Sequence, residues 1–264
     1  MIAPVALVTG ASSGIGLELA RLLAAGGRDL VLVARSAERL DRIARELSDL
    51  HAVRVERRPR DLSKPDAAHA LWSELTGDGV VVDTLVNNAG VGLHGAFGGQ
   101  DVDAISRLVT LNVTTLTTLT RLSLPEMLAR RSGRILNVAS IVAYQPGGPQ
   151  EAVYYATKAF VLSFSKSLAG ELRGTGVTIT TLCPGPTKTA FEAKAGATGT
   201  ALYTWMPSMT AAAVARAGYR GMMRGAGVVI PGIVAKVLAV AGELPPRRIA
   251  LEVNRLLLRS VSRA

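Results

Sequence analysis

An alternation along the chain limits the fold more than any other feature. Short apolar runs recur over all 264 residues, and nearly every one is followed by a segment with helical periodicity. The runs are Val5-Ala6-Leu7-Val8, Asp29 to Ala34, Val53-Arg54-Val55, Thr84-Leu85-Val86, Arg134 to Val138, Val177 to Leu182 and Val228-Val229-Ile230. A strand that is apolar throughout, rather than on every second residue, is buried on both faces. Such strands, separated by helices, build a parallel sheet, because each parallel pair needs a long crossover. The pattern predicts one α/β domain, a doubly wound parallel sheet of about seven strands with helices on both faces. A chain of this length can bury one large core, and a hydrophobic content of 48% argues against disorder. No repeat, low-complexity tract or interdomain linker interrupts the alternation.

The first strand runs into Thr9-Gly10-Ala11-Ser12-Ser13-Gly14-Ile15-Gly16, and a helical pattern follows through Leu17, Leu19, Leu22 and Leu23. In such a turn Gly10 permits the tight bend and Gly14 the close approach of a pyrophosphate. Gly16 lets helix and strand pack closely. The helix start adds free N–H groups and a positive dipole end. There is no P-loop lysine, which disfavours triphosphate hydrolysis. The second strand ends at Arg35-Ser36. A carboxylate there would bind a ribose 2′-hydroxyl, whereas an arginine accommodates a 2′-phosphate. NADP(H) is therefore the expected cofactor. Ser36 is expected to cap a helix from Ala37 to Leu50 or to donate to that phosphate. Ser63 or Asp61 is expected to cap the helix through Ala67, Leu71 and Leu75. Asp101 should start a long helix to Leu122 that carries Asn112.

Tyr154-Tyr155-Ala156-Thr157-Lys158 lies in another helical segment. The four-residue spacing puts Tyr154 and Lys158 on one face, one turn apart, and turns Tyr155 away. A free tyrosine holds its proton to about pH 10 and a free lysine to about 10.4, so neither is a good acid or base near neutrality. An ammonium beside the phenol is expected to lower the tyrosine's pKa, and the pair could then exchange a proton with a substrate oxygen.

Taken together, the Thr-Gly-x-x-x-Gly-x-Gly turn at 9–16, Asn87-Asn88-Ala89-Gly90, Ser140, Tyr154-x-x-x-Lys158 and Pro184-Gly185 resemble the short-chain dehydrogenase/reductase family. The resemblance spans about residues 2–230. It implies a Rossmann-like fold and hydride transfer between a nicotinamide and a carbonyl or secondary alcohol. Tyr154 would be general acid or base, and Lys158 would tune it and hold the nicotinamide ribose. Ser140 would stabilise the substrate oxygen, and Asn112 would bind a water linking Lys158 to solvent. The cofactor contacts implied are Gly10, Ser12, Ser13, Gly14, Ile15, Gly16, Arg35, Ser36, Asp61, Leu62, Asn88, Ala89, Gly90, Tyr154, Lys158, Pro184, Gly185, Thr187 and Thr189. A homodimer or homotetramer is implied as well.

The remaining features are weaker. A net charge of +10 is spread along the chain with few aromatics between the arginines, which disfavours nucleic-acid binding. The single cysteine, Cys183, precludes an internal disulfide, and no metal-ligand spacing appears. With no basic, apolar leader at Met1 to Gly10 and no run of about twenty apolar residues, a cytoplasmic location is expected. His94 reads as a surface-loop residue and Glu151 as a solvent-facing one. Substrate choice is expected in the loops Val91 to Phe97 and Ile141 to Gln150, and in an apolar lid from about 190 to 223. That lid includes Phe191, Leu202, Tyr203, Trp205, Met206, Pro207 and Met209 and favours a lipophilic substrate. A dinucleotide-binding and catalytic domain at 1–231 would thus be followed by a basic, amphipathic extension at 232–264. Its stripe of Ile249, Leu251, Leu256 and Leu257, with arginines outward, would dock on this subunit or a partner, or lie on an anionic membrane. Two other functions fit the same fold: a non-enzymatic dinucleotide-binding regulator, and a membrane-surface protein acting through that tail.

Overall fold

The computed structural model describes residues 5–243 and 247–259. Its elements run β1 Val5–Thr9, α1 Gly14–Ala25, β2 Asp29–Ala34, α2 Ala37–His51, β3 Val55–Pro59, α3 Ala67–Gly77 and β4 Val82–Asn87. Next come α4 Val102–Val109, α5 Leu116–Ala129, β5 Gly133–Val138, α6 Ala152–Glu171 and β6 Val177–Leu182. The chain continues with β7 Thr187–Lys188, α7 Phe191–Ala195, α8 Ala201–Trp205, β8 Met209–Thr210, α9 Ala211–Met223 and β9 Val228–Val229. It closes with α10 Ile233–Glu243 and α11 Arg247–Leu257. The main sheet has seven parallel strands in the order β3-β2-β1-β4-β5-β6-β9, and β7 and β8 form a small parallel pair. The doubly wound sheet that the apolar runs predict is therefore present.

Strand periodicity decides the two cores. Ala6, Val8, Leu30 and Leu32 face α1, α2 and α9, where Leu19, Leu23, Leu40, Leu47, Val214 and Met222 are fully buried. Leu7, Val31, Val33 and Leu85 face the other way, onto Leu71, Leu75, Leu119 and Met127. Each such side chain contributes roughly 1.5–3 kcal/mol when fully buried. The strand order reverses beside β1, and at that switch point a crevice opens beyond the carboxyl ends of the strands.

Several local expectations fail for identifiable reasons. The third strand starts at Val55, two residues later than its apolar pattern implies. It is an edge strand carrying Arg57 and Arg58, which pair with Asp41 and Asp78, so its polar residues hide it. Neither Ser63 nor Asp61 caps α3; Asp66 holds that position in left-handed backbone, and Asp61 instead accepts from Ser63. Asp101 does cap the next helix, but that helix does not run through regularly. A wide π turn at Thr110–Thr115 separates α4 from α5, and Asn112 sits in it.

The lid is shorter than expected. Helix α9 packs on α1 inside the first core and contributes nothing to the cavity lining. Only the segment around α7 and α8 lies over the crevice, and Trp205 points to solvent at 66% exposure. The extension folds as two helices docked on this subunit. Asn254 donates to the Gly147 carbonyl oxygen (2.7 Å), and Leu258 is buried in the cluster holding Tyr154 and Tyr155. Arg248, Arg255 and Arg259 are exposed as expected, but so are Ile249, Leu251 and Leu256; Asn254 and Leu258 are buried instead. Arg263 and the side chain of Arg247 lie outside the described residues. Among those residues no helix is long and apolar enough to cross a membrane.

Candidate active site

The crevice is one continuous cavity of about 470 Å³, running from the tips of β1 and β2 to Ser140 and Tyr154. At its first end Gly10 and Gly14 have positive φ (66° and 59°). A β-carbon on Gly10 would lie 2.7 Å from the Asn88 amide nitrogen, and one on Gly14 would lie 3.1 Å from Thr189. The turn therefore presses its backbone against Asn88 and Thr189, leaving room for a phosphate only because no side chain intrudes. Thr9 locks the second loop to the first. Its hydroxyl accepts from the Asn88 and Ala89 N–H groups (both 3.0 Å) and donates to the Val86 carbonyl oxygen.

Of the expected cofactor residues, Gly10, Ser12, Ser13, Gly14, Ile15, Arg35, Asp61 and Leu62 line the cavity. So do Asn88, Ala89, Gly90, Tyr154, Lys158, Pro184, Gly185, Thr187 and Thr189. Gly16 does not. A β-carbon there would sit 2.3 Å from Asn88 Nδ2 and 2.5 Å from the Gly10 oxygen, so its role is packing. Ser36 does not line it either; its hydroxyl accepts from Arg39 N (3.3 Å) as the cap of α2. Arg35 is exposed at the end of β2. Asp61 lies near it; burial would raise that carboxyl, but two bonds from Ser63, aided by Arg35 and Lys64, hold it below its ordinary value. Arg60 lines the same end, an arginine the β2-tip rule does not reach.

At the other end α6 presents Tyr154 and Lys158, both buried, with the ammonium 5.8 Å from the phenol ring centre. Lys158 donates to the Val138 carbonyl oxygen (3.0 Å), and burial pushes its pKa down to about 8. The expected lowering of Tyr154 does not occur in this geometry. Burial dominates and lifts it well above 10, Tyr203 and Glu151 add to the rise, and only the Ser140 hydroxyl opposes it. Tyr154 is therefore a protonated donor here. Asn112 lies outside the cavity, and its side chain is fully engaged. Its Nδ2 donates to the Val91 oxygen (2.9 Å) and Thr157 (3.2 Å), and its Oδ1 accepts from Val91 N (3.0 Å). A β-carbon on Gly90 would touch both Asn112 Oδ1 (3.2 Å) and Lys158 Nζ (3.5 Å), so the π turn ties the Gly90–Val91 loop to the lysine. Cys183 is buried with its thiol pushed up to about 12, an inert group.

Two residues contradict their surface assignment. Glu151 is 5% exposed and lines the cavity, and burial alone pushes its carboxyl up to about 7. His94 approaches it at 3.4 Å (Nδ1 to Oε1) and is held below its ordinary pKa by burial, against a bond with Gln150. The missed signal is spacing: Glu151 precedes Tyr154 by three residues at the start of α6 and so shares its helix face. Leu108 and Leu111 also line the cavity, together with Val91, Leu93, Val142 and Phe191.

A glycine-cradled crevice at a sheet switch point, ending on a buried Tyr–Lys pair with a serine beside it, defines a dinucleotide-binding oxidoreductase. The short chain dehydrogenase family model matches residues 4–199. The chain belongs to that family. It is 39% identical over 189 residues to nodulation protein G of Rhizobium sp. (strain N33), covering 72% of this chain and 75% of that protein. A short-chain dehydrogenase from Sphingobium yanoikuyae, solved in complex with NADPH, superposes with a TM-score of 0.80 at 35% identity. The match covers 99% of this chain and 100% of that one. The bulky-bulky ketone specific alcohol dehydrogenase of Comamonas testosteroni matches at a TM-score of 0.76 and 32% identity over 88% of each chain.

Proposed function

We propose that this chain is an NADP(H)-dependent oxidoreductase of a lipophilic ketone or the matching secondary alcohol. The observation that carries the reading is the two-ended crevice. Arg35, with no carboxylate on the β2 tip, borders one end, and Ser140, Tyr154 and Lys158 stand in an apolar chamber at the other. The similarity to an NADPH-bound dehydrogenase and to a dehydrogenase of bulky ketones points the same way.

The glycine turn and the start of α1 would hold the phosphates, Arg35 would neutralise the 2′-phosphate, and Thr187 and Thr189 would hold the nicotinamide carboxamide. The bound dinucleotide supplies or accepts the hydride at the substrate carbon. In reduction Tyr154 donates its phenolic proton to the carbonyl oxygen as that oxygen gains charge, and Ser140 hydrogen-bonds the same oxygen. Lys158 lies beside the phenol and stabilises the phenolate that forms. The surrounding apolar side chains exclude water and strengthen these interactions. The test is a rate screen of aryl ketones with NADPH and NADH, repeated on Tyr154→Phe. Turnover with NADH alone would defeat the cofactor assignment, and turnover that survives Tyr154→Phe would defeat the mechanism.

A further inference from the structure

Glu151 is a buried ionisable group for which hydride and proton transfer have no use. It occupies the N-cap position of α6, its side chain caps nothing, and it lines the cavity. Among the described residues its side chain hydrogen-bonds His94 alone, at the long limit of such a bond, and the cavity it lines carries Val91, Leu93, Ile141, Val142, Phe191 and Leu202 as well as the Tyr154 and Tyr203 phenols. A carboxyl in apolar surroundings is costly unless a hydrogen-bond donor reaches it. Burial that lifts it to about 7 is the mark of that missing donor.

We propose that Glu151 is a substrate-recognition residue that accepts a hydrogen bond from a hydroxyl set apart from the reacting carbonyl. The substrate class is then a lipophilic hydroxy-ketone, or the corresponding diol in the reverse direction. This rests on the oxidoreductase reading above. Desolvation selects a hydroxyl over an ammonium, because a cation would have to shed its hydration in a chamber lined largely by apolar side chains. A carboxylate on the substrate would be repelled by Glu151 itself. A sugar would place several hydroxyls against Val91, Leu93, Val142, Phe191 and Leu202, which offer them no hydrogen bond.

The experiment compares benzylacetone with its meta- and para-hydroxy analogues, using NADPH at pH 8, where the carboxyl is ionised. The wild-type protein should favour at least one hydroxylated ketone by about ten-fold or more in kcat/KM, because a site built to bond a hydroxyl discriminates strongly against its absence. Glu151→Leu should bring that ratio to about one, chiefly through a higher KM for the hydroxylated probe and a lower KM for benzylacetone. Glu151→Gln, which keeps an acceptor oxygen, should retain part of the preference. A wild-type ratio near one, or a ratio untouched in both variants, overturns the proposal and leaves the oxidoreductase reading standing. A parallel fall in kcat for every probe also overturns it, because Glu151 then acts through Tyr154. No turnover of any probe with either cofactor sinks both readings.

Discussion

Glu151→Gln should stabilise the folded protein at alkaline pH and leave it nearly unchanged at acid pH. Burial moves the carboxyl from its ordinary value of 4.5 to about 7. That is a displacement of about 2.5 pH units at 1.36 kcal/mol each, or about 3 kcal/mol. The sign follows from proton counting. Between 4.5 and 7 the folded state keeps a proton that the unfolded chain has released, so stability falls as pH rises through this window. Above 7 both states are ionised, and the folded state carries the full cost of a buried charge. Glutamine fills the same space and never ionises, so it escapes that cost. His94 works in the opposite direction. Its depressed pKa costs stability as pH falls below its ordinary 6.5, and at pH 8 it is neutral and takes no part in the gain. The gain should therefore be near zero at pH 4.5 and about 3 kcal/mol at pH 8. For a chain of this size that corresponds to roughly 6–12 °C in Tm. Calorimetric melts of both proteins at the two pH values decide it. A Gln variant that is destabilised equally at both would refute the reasoning, because the carboxyl would then be satisfied by its partners and not penalised by burial.

Four further outcomes are expected. Tyr154→Phe should abolish nearly all turnover while NADPH affinity, read by fluorescence titration, changes little, since only a hydroxyl is lost; Tyr155→Phe should remain active. Arg35→Ala should weaken NADPH by roughly ten- to a hundred-fold, the worth of one charge-assisted contact, and leave NADH nearly unaffected; equal weakening would make Arg35 structural. Gly16→Ala should lower Tm and NADPH affinity together, because the new methyl group would meet Asn88 Nδ2 at 2.3 Å and the Gly10 oxygen at 2.5 Å; unchanged melting would remove the packing role. Deleting the residues after Glu243 should cost about 3 kcal/mol through loss of buried Leu258 and the Asn254 bond, and should raise substrate KM; a truncated protein with the parent's Tm would show that α11 does not hold the Ile141–Gln150 loop.

The sheet and the cofactor cradle were legible because their physics is local. A doubly buried strand must be apolar along its whole length, and a phosphate turn must place glycine where φ is positive, as at Gly10 and Gly14. Tyr154 and Lys158 were legible for the same reason, because helical spacing alone brings them together. What failed depends on burial supplied from elsewhere in the chain. The lowering expected at Tyr154 fails because α7 and α8 bring Phe191 and Tyr203 over it, and that enclosure outweighs the hydrogen bond from Ser140. Glu151 reads as a loop carboxylate until His94, from a segment far away in sequence, closes against it. The tail misleads in the same way. Its most apolar residues, Ile249 and Leu256, stay exposed, while polar Asn254 is buried because the Gly147 carbonyl of the substrate loop needs a donor. The residues that this chain's sequence hides therefore lie where amphipathic patterning is least informative. There a polar side chain is buried to meet one particular partner, whether the Gly147 carbonyl at Asn254 or, as proposed for Glu151, a substrate hydroxyl.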